Sequence, residues 1–151
     1  MQAYYNILDK IKAELLADLF VNTVSQGDIF DVDLAKQTIF PLSHIMVNSA
    51  TRNGNIYTFS MSVLLMDIVD VNPAEATDKF RGNDNETDVL NTQLAVGARL
   101  VEMLDRGDIR NDNYALSGTP QFEPFTERFE NYLAGWSLNF DIDIPNDMTI
   151  C

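Results

Sequence analysis

The chain has 151 residues, 46% of them apolar, and a formal net charge of −13 from 23 acidic against 10 Lys and Arg side chains. That length suits a single domain, residues 1–151, able to bury roughly two thirds of its unfolded surface, and the apolar content argues against disorder. The charge works against binding nucleic acid through its phosphates, which requires Lys and Arg to displace counterions, and it favours a basic or neutral partner.

The one cysteine, Cys151, is the last residue, so no internal disulfide and no cysteine metal cluster is expected. No apolar run approaches the roughly 20 residues that span a bilayer. MQAYYNILDKIKAELL spreads its charges along its length instead of placing them ahead of an apolar block, unlike a signal peptide. The expectation is an intracellular or particle-bound soluble protein with no membrane partner.

Residues 2–19 predict an amphipathic helix. Tyr4, Ile7, Leu8, Ile11, Leu15 and Leu19 recur at helical spacing, with Asn6, Asp9, Lys10, Glu14 and Asp18 on the other side. Its polar side is mixed in charge, which suits a helix covering a sheet better than one lying on a membrane. Residues 20–40 are less regular and turn at Gly27-Asp28. Asp28, Asp31 and Asp33 lack the glycine and the distal glutamate of a calcium loop, so they predict a solvated loop.

LSHIMVNSATRNGNIYTFSMSVLLMDIVD predicts a hairpin about Asn53-Gly54, a favoured pair for a two-residue turn. That turn places Arg52 opposite Asn55. One face then pairs Leu42 with Leu65, His44 with Val63, Met46 with Met61 and Asn48 with Phe59. The other pairs Ile45 with Ser62, Val47 with Ser60 and Ser49 with Thr58. Leu64, Leu65 and Met66 are apolar on both faces, which predicts a central position for that end.

DVNPAEATDKFRGNDNETD, residues 70–88, predicts a long loop, and loops of that length commonly serve an interface. Residues 86–106 predict a second helix, with Leu90, Leu94, Gly97, Val101 and Leu104 on one face. Asn83 or Thr87 would cap its start, and Gly107 would end it. Gly97 costs about 1 kcal/mol relative to alanine, a cost that a close approach to the sheet would explain.

Residues 108–134 combine Gly118, Pro120 and Pro124 with Tyr114, Phe122, Phe125, Phe129 and Tyr132, predicting one or two short edge strands. In the closing GWSLNFDIDIP, Trp136, Leu138, Phe140, Ile142 and Ile144 alternate with Ser137, Asn139, Asp141 and Asp143. The ribbon therefore has an apolar and an acidic face. Phe125, Phe129 and Leu133 fall out of phase with it, which predicts a bulge or strand boundary at Gly135. The resulting fold class is α+β: a mainly antiparallel β-sheet of about four strands with a long central hairpin, flanked by two helices, in α-β-β-α-β order with extra short strands.

Catalytic chemistry is not expected. His44 is the one histidine and lies within a predicted apolar strand face, which points to a packed, hydrogen-bonded side chain. Asp141 and Asp143 would stand about 6–7 Å apart on one strand, a glycosidase-like distance. The aromatics of that strand point away from them, so no apolar pocket would raise either pKa. No phosphate-cradling glycine loop, metal-ligand set or cofactor motif is present. One functional class open to such a chain is an acidic intracellular protein–protein adaptor.

An amphipathic helix leading to KQTIFPLSHIMVNSA, an Asn-Gly hairpin, YTFSMSVLLMDIVD, a long loop, TDVLNTQLAVGARLVEML and ENYLAGWSLNFDIDIPN follow in order. Across nearly the whole chain this resembles the tail terminator or tail-completion (head–tail joining, neck ring) proteins of bacteriophages. FPLSHIMVNSA, LLMDIVD and LAGWSLNFDIDIP are its most specific pieces. The resemblance implies a structural virion protein, assembled in the host cytoplasm, forming a hexameric or twelvefold ring. Such a ring contacts other neck, portal or tail proteins and leaves a channel through which genome DNA passes without specific binding. Under it, Asn139, Asp141 and Asp143 are expected to line or border the channel. Phe80 and Arg81 in the 70–88 loop, with Phe122 and Phe125, are the expected subunit anchors.

Overall fold

The computed structural model describes residues 2–28, 39–69, 86–106, 114–128 and 132–145. The expectations placed on Asp31, Asp33, residues 70–85, Gly107, Phe129 and Cys151 lie outside the described residues.

The chain is α+β. Helix α1 (Gln2–Ala17) leads to β1 (Thr23–Gln26), β2 (Leu42–Asn53), β3 (Ile56–Ile68), helix α2 (Glu86–Asp105), β4 (Ala115–Arg128) and β5 (Tyr132–Pro145). The described strands form one five-stranded sheet in the order β1-β2-β3-β5-β4, antiparallel except for the parallel β1–β2 pair. The strand beyond the expected four is β1, whose four residues are too few to show an alternating pattern.

Both helices pack on the same face of this sheet. Ile7, Ile11 and Leu15 of α1 and Val96, Leu100 and Leu104 of α2 share one core with Phe59, Met61, Val63 and Leu65 of β3 and Leu138, Phe140, Ile142 and Ile144 of β5. Each such side chain contributes about 1.5–3 kcal/mol by leaving water, so this layer holds the fold together. Two polar ties fix the helices over it. Arg99 of α2 grips Asp18, just past α1, through Nε (2.6 Å) and Nη2 (3.0 Å). The indole N–H of Trp136 on β5 donates to the Leu90 carbonyl of α2 at 2.7 Å.

The helix patterns needed two corrections. α1 stops at Ala17, so Leu19, expected on the buried stripe, lies in the following turn and is 95% exposed. The buried stripe of α2 runs through Val89, Gln93, Val96, Leu100 and Leu104, with Leu90, Leu94 and Val101 half-buried beside it. Gly97 does face the sheet: a Cβ there would meet Phe122 Cε1 at 2.6 Å and Leu65 Cδ1 at 2.8 Å.

The hairpin forms where expected but in another register. Its loop is Gly54-Asn55, with Gly54 at φ +63°, so Asn53 faces Ile56 and Arg52 faces Tyr57. A bulge at Asn48 then removes one residue of offset, pairing Leu42 with Met66, His44 with Leu64 and Met46 with Ser62. Leu42, His44 and Met46 therefore share the face of Met66, Leu64 and Ser62, not that of Leu65, Val63 and Met61. The expected register failed because this end of the hairpin is buried on both faces, so each one-residue slip still covers apolar side chains.

That second burial is a separate cluster of Phe40, Leu42, Met66 and Leu133, with Phe125 half-buried against it. It also explains the phase change in β5. The pairing of β5 with β3 runs from Tyr57–Ile144 to Ile68–Leu133 with no shift, so there is no bulge at Gly135, and Leu133 simply points to the other covered face. The irregularity lies in β4, between Ser117 and Gln121, where Gly118 takes φ +71°. β4 is one long edge strand, not two short ones, and its edge position is what tolerates Pro120 and Pro124.

One acid is folded into the helix-covered side. Asp67 is half-buried, and although the Ile68 amide donates to its Oδ1 at 2.8 Å, burial pushes its carboxyl above the ordinary carboxylate range. A raised folded-state pKa gives stability that is full at low pH and is lost as pH rises through that pKa. Asp67→Asn is therefore expected to raise the unfolding midpoint at pH 7, with the gain vanishing below the ordinary carboxylate range. Denaturant titrations at pH 7 and pH 3.5 check it; a lower midpoint at pH 7 would reject the assignment.

Candidate functional site

Away from the helices, the half of the sheet nearest the hairpin turn carries polar side chains in place of a second core. Strand register places them in rows across the sheet. Thr51, Thr58 and Asp143 form one row; Ser49, Ser60, Asp141 and Ser117 the next; Ser62, Asn139 and Gln121 the third. The bulge at Asn48 brings its amide to this face, where Nδ2 donates to Ser62 Oγ at 2.7 Å. Ser62 in turn donates to Asn139 Oδ1 at 2.6 Å, and Thr58 Oγ1 donates to Asp143 Oδ1 at 2.6 Å.

These bonds orient the acceptors. Asn139 and Asp143 are half-buried and held by neighbouring strands, while Asp141 between them is exposed. The result is a fixed polar surface with the carboxylates of Asp141 and Asp143 on one strand. Among the described residues its charged groups are Asp141, Asp143 and Glu123, which lies opposite Ser137. Among the described residues no group of three or more His, Cys, Asp and Glu side chains is placed to hold a metal ion.

His44 lies on this side of the sheet but is completely buried. Its Nε2 donates to the Gly27 carbonyl at 2.8 Å, which assigns the ring proton to that nitrogen, and Nδ1 accepts from Ser25 Oγ at 2.7 Å. Both ring nitrogens are thus used to pin β1 onto β2, and none is left for proton transfer.

The predicted site residues divide between two places. Asn139, Asp141 and Asp143 come together on the open face. Phe122 sits on the helix side, under Gly97 and edge-on to Trp136 at a centroid distance of 6.4 Å. Phe125 packs on the second cluster. Both phenylalanines are engaged within their own chain; Phe80 and Arg81 fall outside the described residues.

A surface that sequence periodicity missed lies at the helix ends. Leu19, Phe20 and Met103 are 95%, 51% and 37% exposed around a shallow groove of about 380 Å³ between the end of α1 and α2. The Arg99 guanidinium stands 5.7 Å from the centre of the Phe20 ring. Burial raises the Asp18 carboxyl, but hydrogen bonds from Arg99 and the Phe20 amide outweigh it and hold the group below its ordinary value. No family model matches the sequence, and no curated protein matches it significantly. No helix of the described residues is long and apolar enough to cross a membrane.

Proposed function

We propose that this protein is a structural component of a bacteriophage particle. It forms a ring at the head–tail junction that caps the tail or connects it to the neck and portal, with an axial channel for DNA. The observation that carries the reading is the open face of β5, where Asn139 and Asp143 are anchored by neighbouring strands and Asp141 projects between them. An ordered acidic surface repels the phosphate backbone, so DNA slides past it without condensing. The resemblance of the chain's segments to tail terminator proteins supports the same reading. The exposed apolar patch of Leu19, Phe20 and Met103 supplies the kind of surface that subunits bury against one another.

Mass measurement of the purified assembly tests the ring directly, with six or twelve copies expected. The channel role is tested by Asp141→Lys combined with Asp143→Lys. Both positions lie on the open face, so the ring should assemble while genome delivery falls about tenfold or more, since each lysine adds a phosphate contact and its salt-dependent drag. Unchanged delivery from intact rings would remove the acids from the channel. A monomer at every concentration would instead favour the acidic adaptor, which rests on the same charge of −13.

A further inference from the structure

Among the described residues, β1 covers β2 only as far as Ile45. Gly27 closes that pairing by donating to the Ile45 carbonyl at 3.1 Å, and its φ of +99° turns the chain off the strand line. Beyond this point Met46–Asn53 has β3 on one side and no described strand on the other. Alternation from Ile45, shifted once by the bulge at Asn48, aims the backbone N–H and C=O groups of Val47, Ala50 and Arg52 outward.

Among the described residues nothing protects this edge. MVNSATRN contains no proline and one charge, and Arg52 is already occupied, donating to the Gly54 carbonyl at 3.0 Å and standing over the Tyr57 ring. The opposite edge, β4, is interrupted by Pro120 and Pro124, the usual protection against strand addition. Beside the β2 edge, on the helix side, runs a groove of about 430 Å³ lined by Tyr4, Tyr5, Leu8, Ile45 and Val47. Among its lining residues Asp9 alone is charged.

We infer that the free edge of β2 is a docking site for an extended, basic segment of a partner protein, added as a strand in line with β1. Main-chain bonds to Val47, Ala50 and Arg52 supply affinity, and alternate apolar side chains lie on Tyr4, Tyr5 and Leu8. A basic residue meets Asp9. Charge selects this occupant over a second copy of the chain, which would bring a further −13 to an already acidic surface. The site is independent of the proposed ring.

The test uses the full chain with a capped eight-residue peptide alternating valine and lysine, and a valine–glutamate peptide as control. Amide exchange at Val47, Ala50 and Arg52 should slow about tenfold or more with the lysine peptide alone. Ala50→Pro removes an outward N–H without breaking a bond to β3, so it should abolish the slowing at Val47 and Arg52. Asp9→Lys, an exposed change that leaves the fold alone, should transfer the preference to the glutamate peptide and keeps the test open if the proline variant unfolds. No slowing with either peptide, or equal slowing with both, overturns the proposal. So does slowing that appears without peptide as protein concentration rises, which would make a second copy the occupant.

Discussion

Alanine at Gly135 is expected to destabilise the fold by about 3 kcal/mol or more. A Cβ there would overlap the carbonyl oxygen of Leu65 and stand 2.8 Å from the Met66 Cα. Those obstacles are backbone atoms of β3, which no rotamer change can move, and β3–β5 is an interior pair of the sheet. Relief requires the two strands to part where Leu65, Met66 and Leu133 anchor cores on both faces. Gly97→Ala is the matched control. Its obstacles are the tips of the Phe122 and Leu65 side chains, which can rotate, and alanine recovers about 1 kcal/mol of helix propensity. Urea unfolding should therefore show a large loss for Gly135→Ala and a net change within about 1 kcal/mol for Gly97→Ala. Equal effects at the two sites would reject this account of Gly135.

Leu19→Asp combined with Phe20→Ala is expected to abolish assembly while leaving the folded chain intact. Leu19 is 95% and Phe20 51% exposed in the single chain, so their loss should change its stability by no more than about 0.5 kcal/mol. In an interface the same residues would be anchors worth about 2 kcal/mol or more, roughly thirtyfold in affinity. The proposed ring would repeat that loss at every junction, so the variant should run as a monomer under conditions where the native chain assembles. Light scattering on size-exclusion fractions distinguishes the outcomes. A variant ring of unchanged size removes this patch from the subunit contact and returns attention to Phe80 and Arg81.

The two faces of β5 show where sequence sufficed. Trp136 to Ile144 alternate strictly, and period two has a single physical interpretation when one face is buried, so the apolar side met the helices as expected. The same holds for α1, whose Ile7–Ile11–Leu15 stripe is continuous with the core. Legibility failed where burial was two-sided. Around Leu42 and Met66 both sheet faces are covered, so hydrophobicity could not choose a register, and the choice fell to the Gly54-Asn55 loop and the bulge at Asn48. The out-of-phase Leu133 looked like a bulge for the same reason: the cluster that buries it combines residues from β2, β3 and β5.

The composition of the open face was legible as well, since Asn139, Asp141 and Asp143 stand at alternate positions. Its order was not. The bonds from Ser62 to Asn139 and from Thr58 to Asp143 join residues 77 and 85 positions apart, and nothing local in the sequence encodes them. His44 follows the same rule, its two partners lying on a β1 strand too short to be recognised.

By itself, the order of residues determined the fold class, the buried stripe of α1, the two faces of β5 from Trp136 to Ile144, and the acidic character of one of them, because these follow from local periodicity and charge. Tertiary structure alone decided the hairpin register, the place of Leu133 and Phe122, the exposure of Leu19 and Phe20, and the bare edge of β2. Each of those depends on which distant element arrives to cover a backbone or side chain, and where it stops.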